Sequence, residues 1–224
     1  MWLMPVHQKK IFKMSQRSIK SYVLRNGRLS NGQKKLLETY LPRYSFKISP
    51  KLPHNFFNNC NLEIGFGRGD VLVHLAKSNP NKNFIGLETY LNGISIVLRK
   101  SIDNNLSNIK IINSDVLVFL ESLKQKILFE NIFFFFPDPW PKKKHNKRRL
   151  VNLKNLNYFY DFLSVNGTIY IITDDQDYAE CINLFSKKLV GKFKISSRLP
   201  NILYKRPQTK YEEKAIKNKS KITE

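Results

Sequence analysis

The residues of this chain best suited to chemistry are a handful of carboxylates and one aromatic segment followed by cations. The segment runs Phe133-Phe134-Phe135-Phe136-Pro137-Asp138-Pro139-Trp140-Pro141 and continues with lysines and arginines around His145, from Lys142 to Arg149. An apolar run that feeds a proline-framed loop holds its acid in few conformations, because proline fixes φ and lowers the entropy lost on ordering. Trp140 can stack on a nucleobase, a contact worth roughly 1–3 kcal/mol. The cations that follow can neutralise phosphates. Core packing for Trp140 and a solvated helix start for the cations are the plainer alternatives. Side by side at a strand's end, the two features suit a base carried on a polyanion.

A second segment, Glu63-Ile64-Gly65-Phe66-Gly67-Arg68-Gly69-Asp70, has the spacing G-x-G-x-G rather than G-x-G-x-x-G. Glycines let the backbone take unusual φ/ψ values and approach a ligand closely. A dinucleotide needs a helix N-terminus aimed at its pyrophosphate. S-adenosylmethionine has no phosphate; it carries a sulfonium and an ammonium. Glu63 and Asp70 beside the loop therefore favour that methyl donor, with a plain tight turn as the alternative. Glu88 follows about 20 residues later, where an acid in nucleotide-binding sheets holds ribose hydroxyls. Asp115 could accept from an adenine amino group or could cap the helix that follows it, and local sequence does not choose between the two.

These acids need a frame that gathers them. Short apolar runs alternate with helical stretches from about Asn59 onward. Strands are expected over Leu62–Ile64, Phe84–Glu88, Ile109–Ile112, Ile132–Phe136, Gly167–Thr173 and Phe193–Ser196. Helices are expected over Asp70–Ser78, Asn92–Ile102, Val116–Leu123, Arg148–Leu163 and Gln176–Leu189. Such alternation predicts an α/β fold with a doubly wound, mostly parallel sheet and right-handed crossovers. Ile132–Phe136, a continuous apolar run, reads as a central strand buried on both faces. Ligands in such sheets bind at the carboxyl ends of the strands. Glu63, Glu88, Asp115, Asp138 and Asp174 all fall at or just after predicted strands. Residues 1–55 read as a basic arm with a short helix over Gln33–Tyr40, lying on the domain or ordering when something binds; residues 56–224 read as the α/β domain with a basic tail.

Composition sets the partner class. Lys and Arg number 39 against 17 for Asp and Glu, a formal net charge of +22. Such a surface attracts polyanions, nucleic acid foremost; a compositional drift toward lysine would raise the charge as well. Cys60 and Cys181 sit in no Cys/His pattern, so neither a metal site nor a disulfide framework is expected, and a reducing compartment fits. No apolar stretch is long enough to span a bilayer, and the N-terminal residues lack a secretory signal. The expectation is a cytoplasmic protein without membrane partners, acting as a monomer or weak homodimer with no obligatory protein partner.

At this point the sequence resembles the bacterial tRNA (guanine-N7-)-methyltransferases. The matching pieces are Leu62–Gly69, Phe84–Glu88, Asp115, Phe136–Arg149, Thr173-Asp174 with Tyr178-Ala179-Glu180, Arg206-Pro207 and Thr209-Lys210-Tyr211-Glu212, together with Arg25–Tyr40. They follow in order over nearly the whole chain. The Pro-Asp-Pro-Trp segment with His145-Asn146-Lys147-Arg148-Arg149 is highly specific; the glycine loop is not. The resemblance implies a Rossmann-like class I methyltransferase fold. It implies S-adenosyl-L-methionine held by Glu63, Gly65, Gly67, Gly69, Glu88, Asp115 and Asp138, with Asp138 also catalytic. It implies tRNA bound by Lys142, Asp174, Thr209, Lys210, Tyr211 and Glu212, and methylation of a guanine in the tRNA variable loop. One departure touches closure on tRNA: the family continues past Glu212 with an Arg-Gly element, where this chain has Glu213-Lys214-Ala215-Ile216 and a lysine-rich end. A methyltransferase on another RNA or a protein, a non-catalytic RNA-binding module, and an NAD(P)-dependent oxidoreductase are the competing readings. The glycine spacing speaks against the last.

Overall fold

The computed structural model describes residues 27–46, 54–123, 127–189, 191–193, 196, 199 and 201–224. Five strands form one parallel sheet: β1 (Cys60–Ile64), β2 (Asn83–Glu88), β3 (Ile109–Asn113), β4 (Phe129–Phe135) and β5 (Leu163–Ile172), in the order β3-β2-β1-β4-β5. The chain winds outward from β1 through β2 to β3, then returns to the other side of β1 with β4. The switch point therefore lies between β1 and β4, where a ligand crevice opens beyond the strands' carboxyl ends.

Helices cover both faces. On one lie α1 (Asn31–Tyr44), α2 (Asp70–Ser78) and α3 (Leu91–Asp103); on the other lie α4 (Val116–Ser122), α5 (Leu153–Tyr160) and α6 (Gln176–Lys188). The four consecutive phenylalanines show why both layers are needed. Phe133 and Phe135 pack into the α1–α3 layer, and Phe134, with Ile132, into the α4–α6 layer. Period-two alternation sends neighbours to opposite faces, so a strand buried on both must be apolar throughout.

The N-terminal helix lies on the domain. Ser30 and Gln33 form a reciprocal capping box at the start of α1. Gln33 also donates to Asn92 and Ser95 of α3, and Leu36 and Tyr44 join the core. The last helix, α7 (Lys210–Lys217), starts with a second capping box between Thr209 and Glu212. Beyond it the chain folds back, and Thr223 pairs antiparallel with Thr173 just past β5.

The helix expected over Arg148–Leu163 is broken. A 3-10 turn occupies Lys143–Arg148, the backbone extends at Arg149, and α5 begins only after Asn152 caps it by accepting from the Asn155 N–H. The polar side chain at Asn152 satisfies an end donor there and so starts a new helix. β5 begins at Leu163 rather than Gly167, with a register irregularity opposite Phe129–Asn131. The strand expected over Phe193–Ser196 lies partly outside the described residues, and neither Phe193 nor Ser196 is in a strand. Among the described residues no helix is long and apolar enough to cross a membrane.

Candidate active site

All five acids singled out above stand on one rim. Glu63 lies near the end of β1, Glu88 ends β2, Asp115 follows β3, Asp138 follows β4 and Asp174 follows β5. The glycine loop after β1 and the proline loop after β4 flank the switch point.

The glycine loop is held from three sides. Gly65, Gly67 and Gly69 all have positive φ, 73°, 56° and 63°, which side chains other than glycine adopt at a cost. The Gly67 N–H donates to Glu88 Oε2 at 2.8 Å. Gly93 at the start of α3 lets that helix approach the loop, since a Cβ there would run into the Gly67 carbonyl. Lys100 of α3 donates to the Arg68 carbonyl and pairs with Asp70. Asp70 is thus engaged, and Glu63 is the acid left beside the loop.

Glu63 is 3% exposed, and its Oε2 has no hydrogen-bond partner among the described residues. A buried, unpaired acceptor is costly unless something satisfies it. Burial, and secondarily the charge of Glu88, push its carboxyl well above the usual glutamate range. Glu88 has both oxygens in use: Oε1 accepts from the N–H groups of Thr89 and Tyr90, at 2.7 and 3.0 Å. Asp115 caps α4 through Oδ1, which accepts from Leu117 and Val118. The cap leaves Oδ2 for another donor, so capping and ligand binding are compatible at this residue.

The loop after β4 is conformationally unusual. Phe136 and Trp140, neither of them glycine, have φ of 52° and 45°. Aromatic residues in the left-handed region are uncommon and persist where surroundings over-determine them. Here the Phe136 N–H donates to the Ile172 carbonyl at 2.8 Å. The Trp140 ring meets His145 edge-on at 5.8 Å and lies under the Arg148 guanidinium at 4.9 Å. Asn146, with its amide turned to donate, reaches the carbonyls of Trp140 and Lys142. Asp138 is exposed, as are Lys142, Lys143, Lys144 and Lys147. Partial desolvation, then Arg148 and the neighbouring lysines, hold the His145 imidazole below its ordinary value.

The start of α7 reaches the same rim, with the Tyr211 ring stacked near Phe136 at 6.4 Å between centroids. The four residues of this segment divide. Lys210 and Tyr211 face solvent and Thr209 is half-buried, whereas Glu212 turns inward. Its carboxylate accepts from Arg206 Nη1 at 2.6 Å and Nη2 at 3.1 Å, and from the Thr209 N–H at 3.2 Å. Arg206 lies over the Phe135 ring. Asp174 is exposed on the stretch that pairs with Thr223.

Three residues that build the site, Arg149, Arg206 and Tyr178, fall within the segments that match the family, but the sequence gives none of them a role of its own. Nothing in the pattern marks the two arginines as buried. The Thr209–Glu212 spacing does carry a helix-start signal, Thr-x-x-Glu, that predicts α7.

Comparison with known proteins agrees with this geometry. The family described as "Putative methyltransferase" matches residues 58–224. The tRNA (guanine-N(7)-)-methyltransferase of Francisella philomiragia is 38% identical over 174 residues, 75% of this chain and 76% of that protein. Proteins of the same name from Legionella pneumophila and Nitrosospira multiformis are 33% and 34% identical over 89% and 90% of this chain and 88% and 90% of their own. Among solved structures, an antibiotic-related methyltransferase superposes with a TM-score of 0.50 at 16% identity, covering 78% of this chain and 90% of that one, a likeness of fold. The chain belongs to the tRNA (guanine-N7-)-methyltransferase family.

Proposed function

We propose that this protein transfers a methyl group from S-adenosyl-L-methionine to N7 of a guanine in the variable loop of tRNA. The observation that carries the reading is the loop after β4. It presents an acid and a cation-flanked tryptophan beside the glycine loop, on one sheet rim. The residues at that rim fit the donor. Glu63 is a buried acceptor awaiting a cation, and the space where a Cβ would stand at Gly65 and Gly67 is open. S-adenosyl-L-methionine, when bound, supplies a methyl group on a sulfonium. Glu63 would hold its ammonium end, Glu88 its ribose hydroxyls through the lone pair left on Oε2, and Asp115 Oδ2 its adenine amino group. Gly65, Gly67 and Gly69 would let the backbone approach it closely, and Asp138 would close the pocket.

Guanine N7 has a lone pair and no proton, so the residues around it need not include a strong base. They must place N7 near 3 Å from the methyl carbon and in line with the leaving sulfur. They must also offset the positive charge that moves onto the purine. Asp138 would do both by accepting from the N1 and N2 hydrogens of guanine. Asp174 would orient the base from the neighbouring strand. Lys142, Thr209, Lys210 and Tyr211 would hold the tRNA around it, and Glu212 would act by fixing Thr209 and α7 in place. The basic arm, residues 1–55, would grip phosphates, setting affinity and register rather than base choice, while residues 56–224 form the catalytic domain. The protein would act in the cytoplasm, as a monomer or weak homodimer needing no protein partner.

Asp138→Ala tests the assignment. It should abolish methyl transfer to tRNA transcripts while leaving donor binding mostly intact, weakened only by the loss of the group that closes the pocket, and Asp138→Asn separates charge from shape. Wild-type turnover in the alanine variant would sink the role given to Asp138.

A further inference from the structure

Arg149 ends the run of cations expected to neutralise phosphates, yet it is one of the few charged residues buried in the described structure, at 4% exposure, and has no part in the roles proposed above. Its Nε donates to the Pro139 carbonyl at 2.6 Å. Its Nη2 donates to Asp177 Oδ2 at 2.6 Å and lies 4.0 Å from Asp175 Oδ1. Nη1 points at Cys181 Sγ, 3.5 Å away, and the guanidinium lies over the Tyr178 ring at 4.9 Å. The Tyr178 hydroxyl in turn accepts the Val151 N–H at 2.8 Å, which fixes the chain on the far side of Arg149.

These contacts join two loops. Pro139 stands between Asp138 and Trp140; Asp175 adjoins Asp174 and caps α6. One planar group therefore spans from the loop after β4 to the junction after β5. The need for such a brace is local. Pro137, Pro139 and Pro141 have no N–H, so the loop has few donors with which to hold itself. It also keeps Trp140 in the left-handed region. A rigid fork of donors can satisfy a carbonyl and a carboxylate at once; a lysine, a point charge on a flexible stem, cannot.

We propose that Arg149 is a positioning residue that fixes Asp138 relative to Asp174, and thereby sets the turnover rate without touching either substrate. The inference rests on the reading of these two acids as facing guanine. A displacement of about 1 Å can cost roughly a hundredfold in rate. Arg149→Lys should therefore lower kcat by about ten- to a hundredfold, with KM for tRNA and donor affinity within about twofold of wild type. Asp177→Ala, at a side chain 70% exposed, removes one anchor of the brace without opening the core, and should lower kcat less, in the same way.

The test adds a readout that does not depend on turnover. The chain has two tryptophans, Trp2 and Trp140, so a Trp2→Phe background leaves Trp140 as the sole reporter of the loop. Acrylamide quenching of Trp140, read well below the melting temperature of each variant, should rise in Arg149→Lys and, to a smaller extent, in Asp177→Ala, where Asp175 still faces the guanidinium at 4.0 Å. Unchanged quenching in both variants would overturn the proposal, whatever the activity. So would a loss of activity in Asp177→Ala that appears wholly in donor binding or melting temperature. Raised quenching in variants of a wild-type protein that methylates no guanine would support the brace and refute the reaction instead.

Discussion

Replacing Glu212 separates holding the fold from touching the substrate. The resemblance assigns Glu212 to tRNA, but its side chain is 11% exposed, opposite an Arg206 side chain 8% exposed. Two short hydrogen bonds join them, and the Thr209 N–H adds a third to the same carboxylate. Removing one partner of a buried pair leaves the other charge uncompensated, typically at about 3–5 kcal/mol. Loss of the capping box adds roughly 1 kcal/mol. Arg206 retains Glu224 at 3.8 Å, 42% exposed, which offsets part of this. A net cost of about 4 kcal/mol should lower the melting temperature of a chain this long by roughly 8–16 °C. Glu212→Gln keeps a hydrogen-bonding group and should fall between wild type and Glu212→Ala. Thermal unfolding followed by circular dichroism measures both, and the loss should persist in high salt because the pair is shielded from solvent. Tyr211→Ala, at an exposed side chain one position earlier, should change the melting temperature by little. A Glu212→Ala protein with wild-type melting and no activity on tRNA would refute the structural role and make Glu212 a direct ligand.

Other outcomes follow from the same geometry. Because burial raises the Glu63 carboxyl, the folded chain holds that proton more tightly than the unfolded one; the resulting stabilisation is complete below the ordinary glutamate pKa and is lost as pH rises through the raised value. Glu63→Gln should therefore gain stability relative to wild type as pH rises from about 4 to 8, and parallel urea-unfolding profiles would contradict this; the variant should also bind the donor more weakly. Trp140→Ala should weaken tRNA binding by about 1–3 kcal/mol if the ring stacks on a base, and an unchanged Kd would place the ring in packing alone. The logarithm of tRNA affinity should fall linearly with the logarithm of salt concentration, and alanine at Lys142 or Lys143 should lower that slope by about 1 each; slopes equal to wild type would remove these lysines from the phosphate contacts.

Much of the fold was legible because its signals are local. The helix over Asp70–Ser78 begins where three glycines end and stops before Pro80, and the apolar run of β4 admits no solvent-facing position. The acids of the rim were legible because the carboxyl end of each strand is marked by where its apolar run stops. What the sequence concealed depends on long-range contacts. The stretch Arg148–Leu163 reads as one continuous helix, and nothing local in it shows that Arg149 is a brace; that role comes from Pro139, Asp177 and Tyr178, brought to it from other parts of the chain. Glu212 looks like a solvent-facing acid at a helix start, and only Arg206 turns it inward. Asp115 was ambiguous between cap and ligand because the two are compatible: the cap uses Oδ1 alone.

The most direct test of the central claim is methyl transfer from S-adenosyl-L-methionine to unmodified tRNA transcripts, followed by digestion and mass spectrometry of the nucleosides. The account predicts 7-methylguanosine, lost when the variable-loop guanine is replaced by adenine and lost in Asp138→Ala. A different methylated nucleoside, or 7-methylguanosine that persists without that guanine, would contradict it.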